Sequence, residues 1–512
     1  MNCRFWLLLT MTVALGAETP HEINGRVVDA QSGSPIARAR ITLGFKQGDS
    51  ETVPMWVLTD GSGGFQLKNV PEGFFDLVCE RPGYLTSQTL EGLITPDAKS
   101  TPVTIRLVAQ VAIEGTVVNE KGLAVPLAEI QLYGEDVVNG RRRTTLLPQN
   151  WANERGNFRI FGLPEGRYRI RARAIDQGSR PSSLVYAPAF YPNSPDLGGA
   201  EVLNLAPGEE KRITIRMAAP VPGREILVRV DPVNERTHVR LHAADAIGLD
   251  PDLGFEARWD AETHTFRIAG VPPGAYILDA ETVTAEEWLR GRVPITVGSH
   301  DADTRIQLHA PSGVSGAVRF AGERREALPR VIVSLDSAKG ESGGGLAEEG
   351  SFAIRAPEGQ YRLTVSTEGP FYARSAWQGG QEVLQGEVTI AEGAESSPVQ
   401  ILLDGPGATV EARIALHGLA PPVISVVLLR RVGGEMRIEK RQNIEPILHS
   451  EGLIFEGVPP GEYLVCAWRT DATIPYAEPD FVERYGRQGT TLTIRGVERI
   501  SVTVDRLMGT EL

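Results

Sequence analysis

The residues best suited to chemistry are aromatic side chains in one proline-rich segment of the chain. Tyr186, Phe190, Tyr191 and Asn193 lie close together there, and the prolines between them keep the segment out of a regular sheet. Binding sites for small ligands combine aromatic side chains with a few polar groups, and an exposed ring can stack on a pyranose. This segment predicts a carbohydrate-binding site, with burial of the rings between domains as the open alternative.

Trp151 is a further candidate for a sugar contact. The number of residues from Trp151 to Phe158 is the same as the number from Trp259 to Phe266. Equal placement in two parts of a chain is also typical of an aromatic ring that packs within a hairpin. Packing is the interpretation we favour for the two tryptophans, and Trp151 remains a candidate ligand-binding residue.

The residues that could ligate a metal do not form a complete set. A zinc carboxypeptidase needs a His-x-x-Glu pair and a distant His, and none of the eight histidines begins such a pair. His238 and His242 fall on one face of a strand, without a third ligand in view. Residues 250–252 and 301–303 each contain two aspartates, but they lack the spacing of a calcium loop and are interpreted as solvated turns. We therefore predict no metal site and no cofactor.

The sequence also lacks a set of catalytic residues. It contains no Gly-x-Ser-x-Gly motif and no phosphate-binding loop, so neither a hydrolase elbow nor a nucleotide site is indicated. A crosslinked adhesin would need a Lys in its opening strand, where this chain has Arg26, Thr116, Arg229 and Arg319. The protein is therefore predicted not to be an enzyme.

The elements that must position these residues are strands, because one strand-turn-strand pattern recurs along the chain. Two apolar residues at alternate positions precede a turn with Pro and Gly, and a second alternating segment follows the turn. Alternating apolar residues on both sides of a tight turn are typical of a hairpin with one buried face. The copies of this pattern begin at Phe65, Phe158, Phe266, Phe352 and Leu453.

The copies are separated by domain-sized intervals, roughly a hundred residues. Short strands with closely spaced turns are typical of β-sandwiches, so we predict an all-β fold, a tandem array of about five small antiparallel β-sandwich domains. The predicted domains are 18–109, 110–222, 223–311, 312–405 and 406–512. Short helices are expected at 284–290 and 479–485, where Thr or Pro precedes an amphipathic turn.

Residues 1–17 have the composition of a secretory signal peptide. Arg4 supplies the positive charge, an apolar core follows, and small residues end the segment at Ala17. No other apolar run is long enough for a helix that crosses a bilayer. The mature chain is expected to be secreted, periplasmic or on the cell surface, with no integral membrane segment after cleavage.

The charge of the chain argues against nucleic acid as a partner. Lys and Arg total 52 against 65 Asp and Glu, a net charge of −13, and such a surface repels phosphate groups. Arginines alternate at positions 167, 169, 171 and 173. This pattern is typical of the solvated face of a strand, and we interpret it so.

Cys79 and Cys466 occupy nearly the same place in the first and last copies, just after the Pro and Gly turn. Similar positions in distant domains indicate two buried small apolar side chains rather than one disulfide.

The order of motifs in the first copy resembles the carboxypeptidase regulatory-like domain. The matching segments are residues 25–29, 33–39, 59–65 and 70–75. The resemblance is close for residues 22–109 and 110–218 and looser further on. It implies a prealbumin-like sandwich, also classed as a carbohydrate-binding-like fold. It further implies a non-catalytic module that accompanies peptidases, outer-membrane transporters or sugar-active proteins, with no catalytic residues to carry over.

The function expected from these observations is non-enzymatic binding of a glycan in the cell envelope or outside the cell. The alternative is a structural or protein-interaction scaffold of the envelope, whose partner is another protein.

Overall fold

The computed structural model describes residues 21–508. Its gaps are 48–49, 52–53, 88, 95–101, 175–183, 245–254, 284–287, 311, 323–326, 338–341, 392–395, 416–420, 422 and 446–451. The predicted signal peptide and the acidic residues 250–252 lie outside the described residues. The described chain divides into two compact units. The first lies within Met1–Pro82 and Thr86–Leu107, and the second within Gly83–Leu85, Val108–His417 and Pro421–Leu512.

One pattern of strand pairing repeats along the described chain. An opening strand pairs antiparallel with the strand before the Pro and Gly turn and parallel with a closing strand. The strand after the turn lies in a second sheet, and the apolar core lies between the two sheets. We call the successive pairs of sheets domains 1 to 5. The prediction of an all-β fold is confirmed.

Domains 1 and 2 contain the strands up to Pro222. Domain 1 consists of β1 (His21–Asp29), β2 (Arg40–Gln47), β3 (Ser50–Glu51), β4 (Met55–Leu58), β5 (Gly64–Val70), β6 (Gly73–Glu80), β7 (Leu90–Ile94) and β8 (Val103–Leu107). Domain 2 consists of β9 (Val111–Val118), β10 (Glu129–Val138), β11 (Arg141–Leu146), β12 (Asn150–Trp151), β13 (Asn157–Leu163), β14 (Gly166–Arg173), β15 (Leu184–Val185), β16 (Ala189–Phe190), β17 (Leu203–Leu205), β18 (Glu210–Arg216) and β19 (Val221–Pro222).

Domains 3 and 4 follow with the same order of pairing. Domain 3 consists of β20 (Arg224–Asp231), β21 (His238–Ala243), β22 (Ala257–Asp260), β23 (Thr265–Val271), β24 (Gly274–Val283), β25 (Trp288–Val297) and β26 (Ala302–Gln307). Domain 4 consists of β27 (Gly313–Phe320), β28 (Val331–Ser337), β29 (Ser342–Ala347), β30 (Ser351–Arg355), β31 (Gly359–Thr367), β32 (Tyr372–Gln378), β33 (Gln381–Glu382), β34 (Val388–Ile390) and β35 (Val399–Asp404).

Domain 5 adds a short helical segment to the sheets. It consists of β36 (Ala408–Ile414), β37 (Ile424–Val432), β38 (Glu435–Ile444), β39 (Leu453–Val458), β40 (Gly461–Arg469), α1 (Phe481–Tyr485), a 3₁₀ helix (Gly486–Gln488), β41 (Thr490–Ile494) and β42 (Arg499–Val504). The domain 5 sheets have the orders β39-β36-β42 and β38-β37-β40-β41, and those of domain 1 are β5-β1-β8 and β3-β2-β6-β7 with β4 beside β2.

The two expected helices have different outcomes. Helix α1 confirms the one expected at 479–485. The one expected at 284–290 is wrong from Trp288 onward, because β25 begins there and pairs with β24 through Val283 and Trp288, Thr282 and Leu289, and Glu281 and Arg290. The ladder of backbone hydrogen bonds between two long strands outweighs the local preference for a helical turn. Residues 284–287 lie outside the described part.

A glycine in the opening strand makes room for the aromatic residue of the partner strand. A Cβ atom placed on Gly25 would lie 2.4 Å from the ring of Phe65, and one on Gly115 would lie 2.2 Å from the ring of Phe158. The side chain of each Phe therefore crosses the backbone of the opening strand and enters the core. This close approach explains why the motif begins with Gly.

In domains 2 to 5, a tyrosine hydroxyl forms a hydrogen bond to the turn that contains Pro and Gly. In each case it donates a hydrogen bond of 2.6–2.8 Å to the carbonyl of the Pro that opens the turn. The pairs are Tyr168 with Pro164, Tyr276 with Pro272, Tyr361 with Pro357, and Tyr463 with Pro459. Domain 1 has Phe75 at this place, so its turn lacks this hydrogen bond.

Candidate functional site

The second sheet of each domain has an inner face on the core and an outer face that points away from it. The centre of this outer face is marked by two residues that pair across the central strands. The strand after the turn carries one of these two residues. In each domain named below, that residue lies the same number of positions after the aromatic core residue of the strand. The pairs are Thr42 with Val78 in domain 1, Gln131 with Arg171 in domain 2, and Val427 with Cys466 in domain 5.

One residue of the predicted aromatic segment, Phe190, lies on this outer face in domain 2. Phe190 belongs to β16, which pairs with β14 so that Phe190 lies opposite Arg171. Its ring is 1% exposed and packs with Tyr133 at a centroid distance of 5.6 Å, together with Ala200. Because the ring is buried in its own domain, it is not available to stack on a sugar.

A buried polar network lies under this aromatic cover. Arg171 is 2% exposed, and its guanidinium carbon lies 5.4 Å from the ring centre of Phe190 and 5.7 Å from that of Tyr133. Its Nε donates a 2.6 Å hydrogen bond to Oε1 of Gln131. The interpretation of this strand face as solvated is wrong for Arg171, because a segment far along the chain folds over it.

A buried ion pair extends the network toward the edge of the sheet. Nε of Arg173 donates a 2.7 Å hydrogen bond to Oε2 of Glu129, and the carboxylate side chain is almost completely buried. A buried charge is tolerated only with a partner that neutralises it and satisfies its hydrogen bonds. Arg173 supplies that partner.

The other predicted site residues do not converge on one solvent-facing surface. Tyr186 and Tyr191 are partly buried against the inner core of domain 2, and burial together with nearby Glu201 raises the pKa of Tyr191. Asn193 is exposed in the turn that follows. Trp151 lies opposite Glu129 on β12, with half of its surface exposed.

Domain 5 covers the equivalent face with a different segment. Residues 470–489 connect β40 to β41 and contain α1. Phe481 of this helix packs on Cys466 and Trp468, and Met508 completes the cluster. The ring of Tyr476 stacks nearly parallel to that of Trp468, at a centroid distance of 6.1 Å. This outer face is apolar and buried, like a second small core.

Within the described part of the chain, no segment covers the same face in domain 1. The connection from β6 to β7 is only residues 81–89, and Trp56 is 59% exposed. Leu58, Phe74 and Leu93 are also exposed large apolar side chains on this sheet, and Leu93 pairs with Phe74 across the strands. The four residues Trp56, Leu58, Phe74 and Leu93, with Arg40 stacked on Trp56 at 5.4 Å, form what we call the open face.

The prediction from sequence missed the open face, although a signal for it was present. Met55–Leu58 is an unbroken apolar strand, and Phe74 and Phe75 are adjacent. Neighbouring residues of a strand point to opposite faces. Unbroken apolar residues therefore place large side chains on both faces of the sheet, not only on the core side.

The remaining candidates have structural partners. The carboxylate of Asp303 binds Arg229 at 2.7 and 3.0 Å, and that of Asp301 accepts a 2.9 Å hydrogen bond from the backbone of Glu225. His238 is exposed and His242 is half-buried on β21. Among the described residues, no three His, Cys, Asp or Glu side chains are grouped so that they could hold a metal ion. The ring of Trp259 packs on Phe266 at 4.9 Å, as expected for packing within a hairpin.

Cys79 and Cys466 are free and buried, as predicted, but they are not equivalent. Cys79 lies one residue further from its turn glycine than Cys466 does. A shift of one residue reverses the face of a strand, so Cys79 points into the core of domain 1 and Cys466 lies on the covered outer face of domain 5. Burial raises the pKa of the Cys79 thiol to about 12 and also raises that of Cys466.

Comparisons with known proteins support the family predicted for domain 1. Residues 22–108 match the family model of the carboxypeptidase regulatory-like domain. No curated protein matches the chain. No helix in the described part of the chain is long and apolar enough to span a membrane.

Solved structures similar to the chain share little sequence identity with it. The TIE protein of Bacillus anthracis is 11% identical over 57% of this chain and 50% of its own, with a TM-score of 0.19. This chain therefore matches about half the length of that protein. A streptococcal ancillary pilin is 10% identical over 57% of this chain and 99% of its own, with a TM-score of 0.20. The minor pilin GBS52 of Streptococcus agalactiae is 13% identical over 39% of this chain and 96% of its own, with a TM-score of 0.22.

Proposed function

We propose that the protein is a non-catalytic scaffold of the cell envelope and that the open face of domain 1 binds another protein. The observation that carries this proposal is the contrast between equivalent sheet faces. Domains 2 and 5 cover their outer faces with their own chain, whereas domain 1 exposes Trp56, Leu58, Phe74 and Leu93. Clustered exposed apolar residues are typical of sites for protein interaction.

The composition of the open face suits a protein partner. Aromatic residues and Arg are enriched at the centres of protein interfaces, and here Arg40 lies over the ring of Trp56. The non-catalytic role rests on the domain family matched at residues 22–108. The location in the envelope rests on the leader-like sequence of residues 1–17.

Photo-crosslinking in the host cell tests this function. A benzoylphenylalanine residue at Leu58 should give a discrete covalent adduct with a second protein, because Leu58 borders Trp56 on the open face. The same group at Phe161, an apolar position of domain 2 that is even more exposed than Leu58, is the control. Absence of an adduct at Leu58, or the same adducts at both positions, would contradict the proposal. An adduct with the mass of two copies of this chain would identify self-association instead.

Glycan binding stays a second proposal, and Trp151 is the residue that supports it. Its indole is half exposed at the strand position opposite Glu129, and an exposed aromatic ring can stack on a sugar ring. Saturable binding on a glycan array that is lost in Trp151→Ala and kept in Phe161→Ala would support this site. Binding to no glycan would remove it. Phe190 is unsuitable as a probe, because its loss would empty a buried cluster.

A further inference from the structure

The turn between β10 and β11 in domain 2 contacts two other domains of the second compact unit. Asn139 and Gly140 form this two-residue turn with φ angles of 51° and 75°, the geometry of a type I′ hairpin. Nδ2 of Asn139 lies 3.5 Å from Oδ1 of Asp336 in domain 4. The carbonyl of Gly140 accepts a 2.9 Å hydrogen bond from the backbone of Ala477 in domain 5. The tip of the hairpin therefore lies where domains 2, 4 and 5 meet.

The fit at this turn permits no side chain at position 140. A Cβ atom on Gly140 would lie 2.6 Å from the ring of Tyr476, the same ring that stacks on Trp468 over the outer face of domain 5. Two residues further on, the backbone amide of Arg142 donates a 2.9 Å hydrogen bond to Oε1 of Glu478. Glycine is thus required both for its positive φ angle and for the close approach of Tyr476.

One carboxylate connects three domains at this place. Glu435 directly follows the turn between β37 and β38 in domain 5. Its side chain accepts hydrogen bonds from Arg141 of domain 2 at 2.8 and 3.1 Å, and it also binds Arg362 of domain 4. All three side chains are partly buried. Hydrogen bonds between charged, partly desolvated groups are stronger than those between neutral groups.

Two further arginines make contacts between the same domains. Arg143 donates to the carbonyl of Ser337 at 3.3 Å, and Arg437 donates to the carbonyls of Leu384 at 3.3 Å and Gln385 at 2.9 Å. Burial, together with the charges of Arg362 and Arg141, lowers the pKa of Arg437. Without the charge of Glu435 these guanidinium groups would repel one another across the domain boundaries.

We propose that the hairpin turn 139–143 is a latch and that Glu435 holds it closed. With Glu435 ionised, domains 2, 4 and 5 keep one relative arrangement and act as a rigid body. Loss of that one negative charge releases domain 2 from domains 4 and 5, while each sandwich keeps its own core. The latch gives the scaffold a second, open arrangement that is independent of the open face of domain 1.

Distance measurements between spin labels in the full chain test the latch. Thr214→Cys in domain 2 and Thr503→Cys in domain 5 supply exposed labelling sites on strands β18 and β42. Cys79 and Cys466 are buried, and Cys3→Ser removes the third natural cysteine. A narrow distance distribution is expected with Glu435 present, and its width should at least double in Glu435→Gln. Glu462→Gln, an exposed carboxylate of domain 5 outside the latch, should leave the distribution unchanged.

A second variant acts on the fit of the turn and not on its charge. Gly140→Ala should broaden the distribution in the same way, because the added methyl group meets Tyr476. Circular dichroism should show unchanged strand content in both variants, which separates latch opening from unfolding. An unchanged narrow distribution in Glu435→Gln would overturn the proposal, and so would a broad distribution in the unsubstituted labelled chain.

Discussion

The outer face of the second sheet is built alike in domains 1 and 2, but it is buried in domain 2 and exposed in domain 1. Thr42 and Val78 of domain 1 occupy the places of Gln131 and Arg171 of domain 2. The domain 2 pair is buried under Phe190, whereas the domain 1 pair is only half-buried between exposed apolar side chains. The difference comes from the connection that follows the central strand, which is residues 81–89 in domain 1 and 174–202 in domain 2.

In domains 1, 2 and 5 the outer face is covered where this connection is long and exposed where it is short. A long connection folds back and supplies an aromatic side chain, Phe190 in domain 2 and Phe481 in domain 5. A short one cannot reach across the sheet. The apolar residues of domain 1 then remain exposed to water, which costs a free energy of about 25 cal/mol per Å² of apolar surface. A bound partner would cover this surface and remove that cost.

Thiol reactivity should separate the two states of the face most strongly. Val78→Cys places a thiol at the open position equivalent to the covered Cys466, and we expect it to react with a maleimide at least about 100-fold faster. Burial both blocks access to Cys466 and raises its pKa, so little thiolate forms. The chain with Val78 retained, in which Cys79 and Cys466 are buried, is the control, and both chains carry Cys3→Ser. Equal labelling rates for the two chains would show that the face of domain 1 is covered.

Truncation of the domain 2 cover should have a large effect on stability. Phe190→Ala removes a buried ring from its contacts with Tyr133 and Arg171, and it should lower the free energy of unfolding of domain 2 by about 3–5 kcal/mol. Phe161→Ala removes an exposed ring of the same domain and should change it by less than about 0.5 kcal/mol. Hydrogen exchange of strands β10 and β14 measures both effects. Similar protection in the two variants would mean that the cover does not stabilise the sheet.

The tyrosine at the turn is a second difference between domain 1 and the covered domains, with a smaller expected effect. Tyr463→Phe removes the hydrogen bond to the carbonyl of Pro459 and should cost domain 5 about 1 kcal/mol, as measured by denaturant unfolding. Tyr485→Phe removes a hydroxyl with no hydrogen bond among those described, and should cost nothing measurable. If Tyr463→Phe left the free energy of unfolding of domain 5 unchanged, the hydrogen bond would not stabilise the turn. Phe75 would then cost domain 1 no stability.

The smallest effect is expected at the open face itself. Trp56→Ser should change the free energy of unfolding of domain 1 by less than about 0.5 kcal/mol, because its ring already lies in water. Trp468→Ser, on the covered face of domain 5, should destabilise that domain by about 3 kcal/mol or more. A loss above about 2 kcal/mol in Trp56→Ser would show that Trp56 packs within the fold.

The hairpins could be predicted from the sequence because their signals are local. Alternating apolar residues around the turns with Pro and Gly place Phe65 and Phe158 on core faces, and the structure has them there. The strands near 103–107 and 500–504 follow from the same alternation. The boundaries of the five domains remain a prediction.

The candidate site could not be predicted in the same way, because its features depend on distant contacts. Prolines around Phe190 indicate a loop, but only the folded chain shows that this loop lies over Arg171. The contact of Arg141 with Glu435 joins residues on hairpins of different domains, and neither residue carries a local signal for its partner. The open face is different, since the apolar run Met55–Leu58 is visible in the sequence.

The parallel pairing of the first and last strands has a mechanical consequence for every domain. In β1 with β8, and in β36 with β42, the chain enters and leaves in the same direction along neighbouring strands. Tension applied through the two ends of such a domain therefore pulls the strands past each other. The hydrogen bonds between them, evenly spaced in a parallel pair, carry that load together and do not open one after another. Each sandwich is thus a link that resists stretching along the direction of the chain.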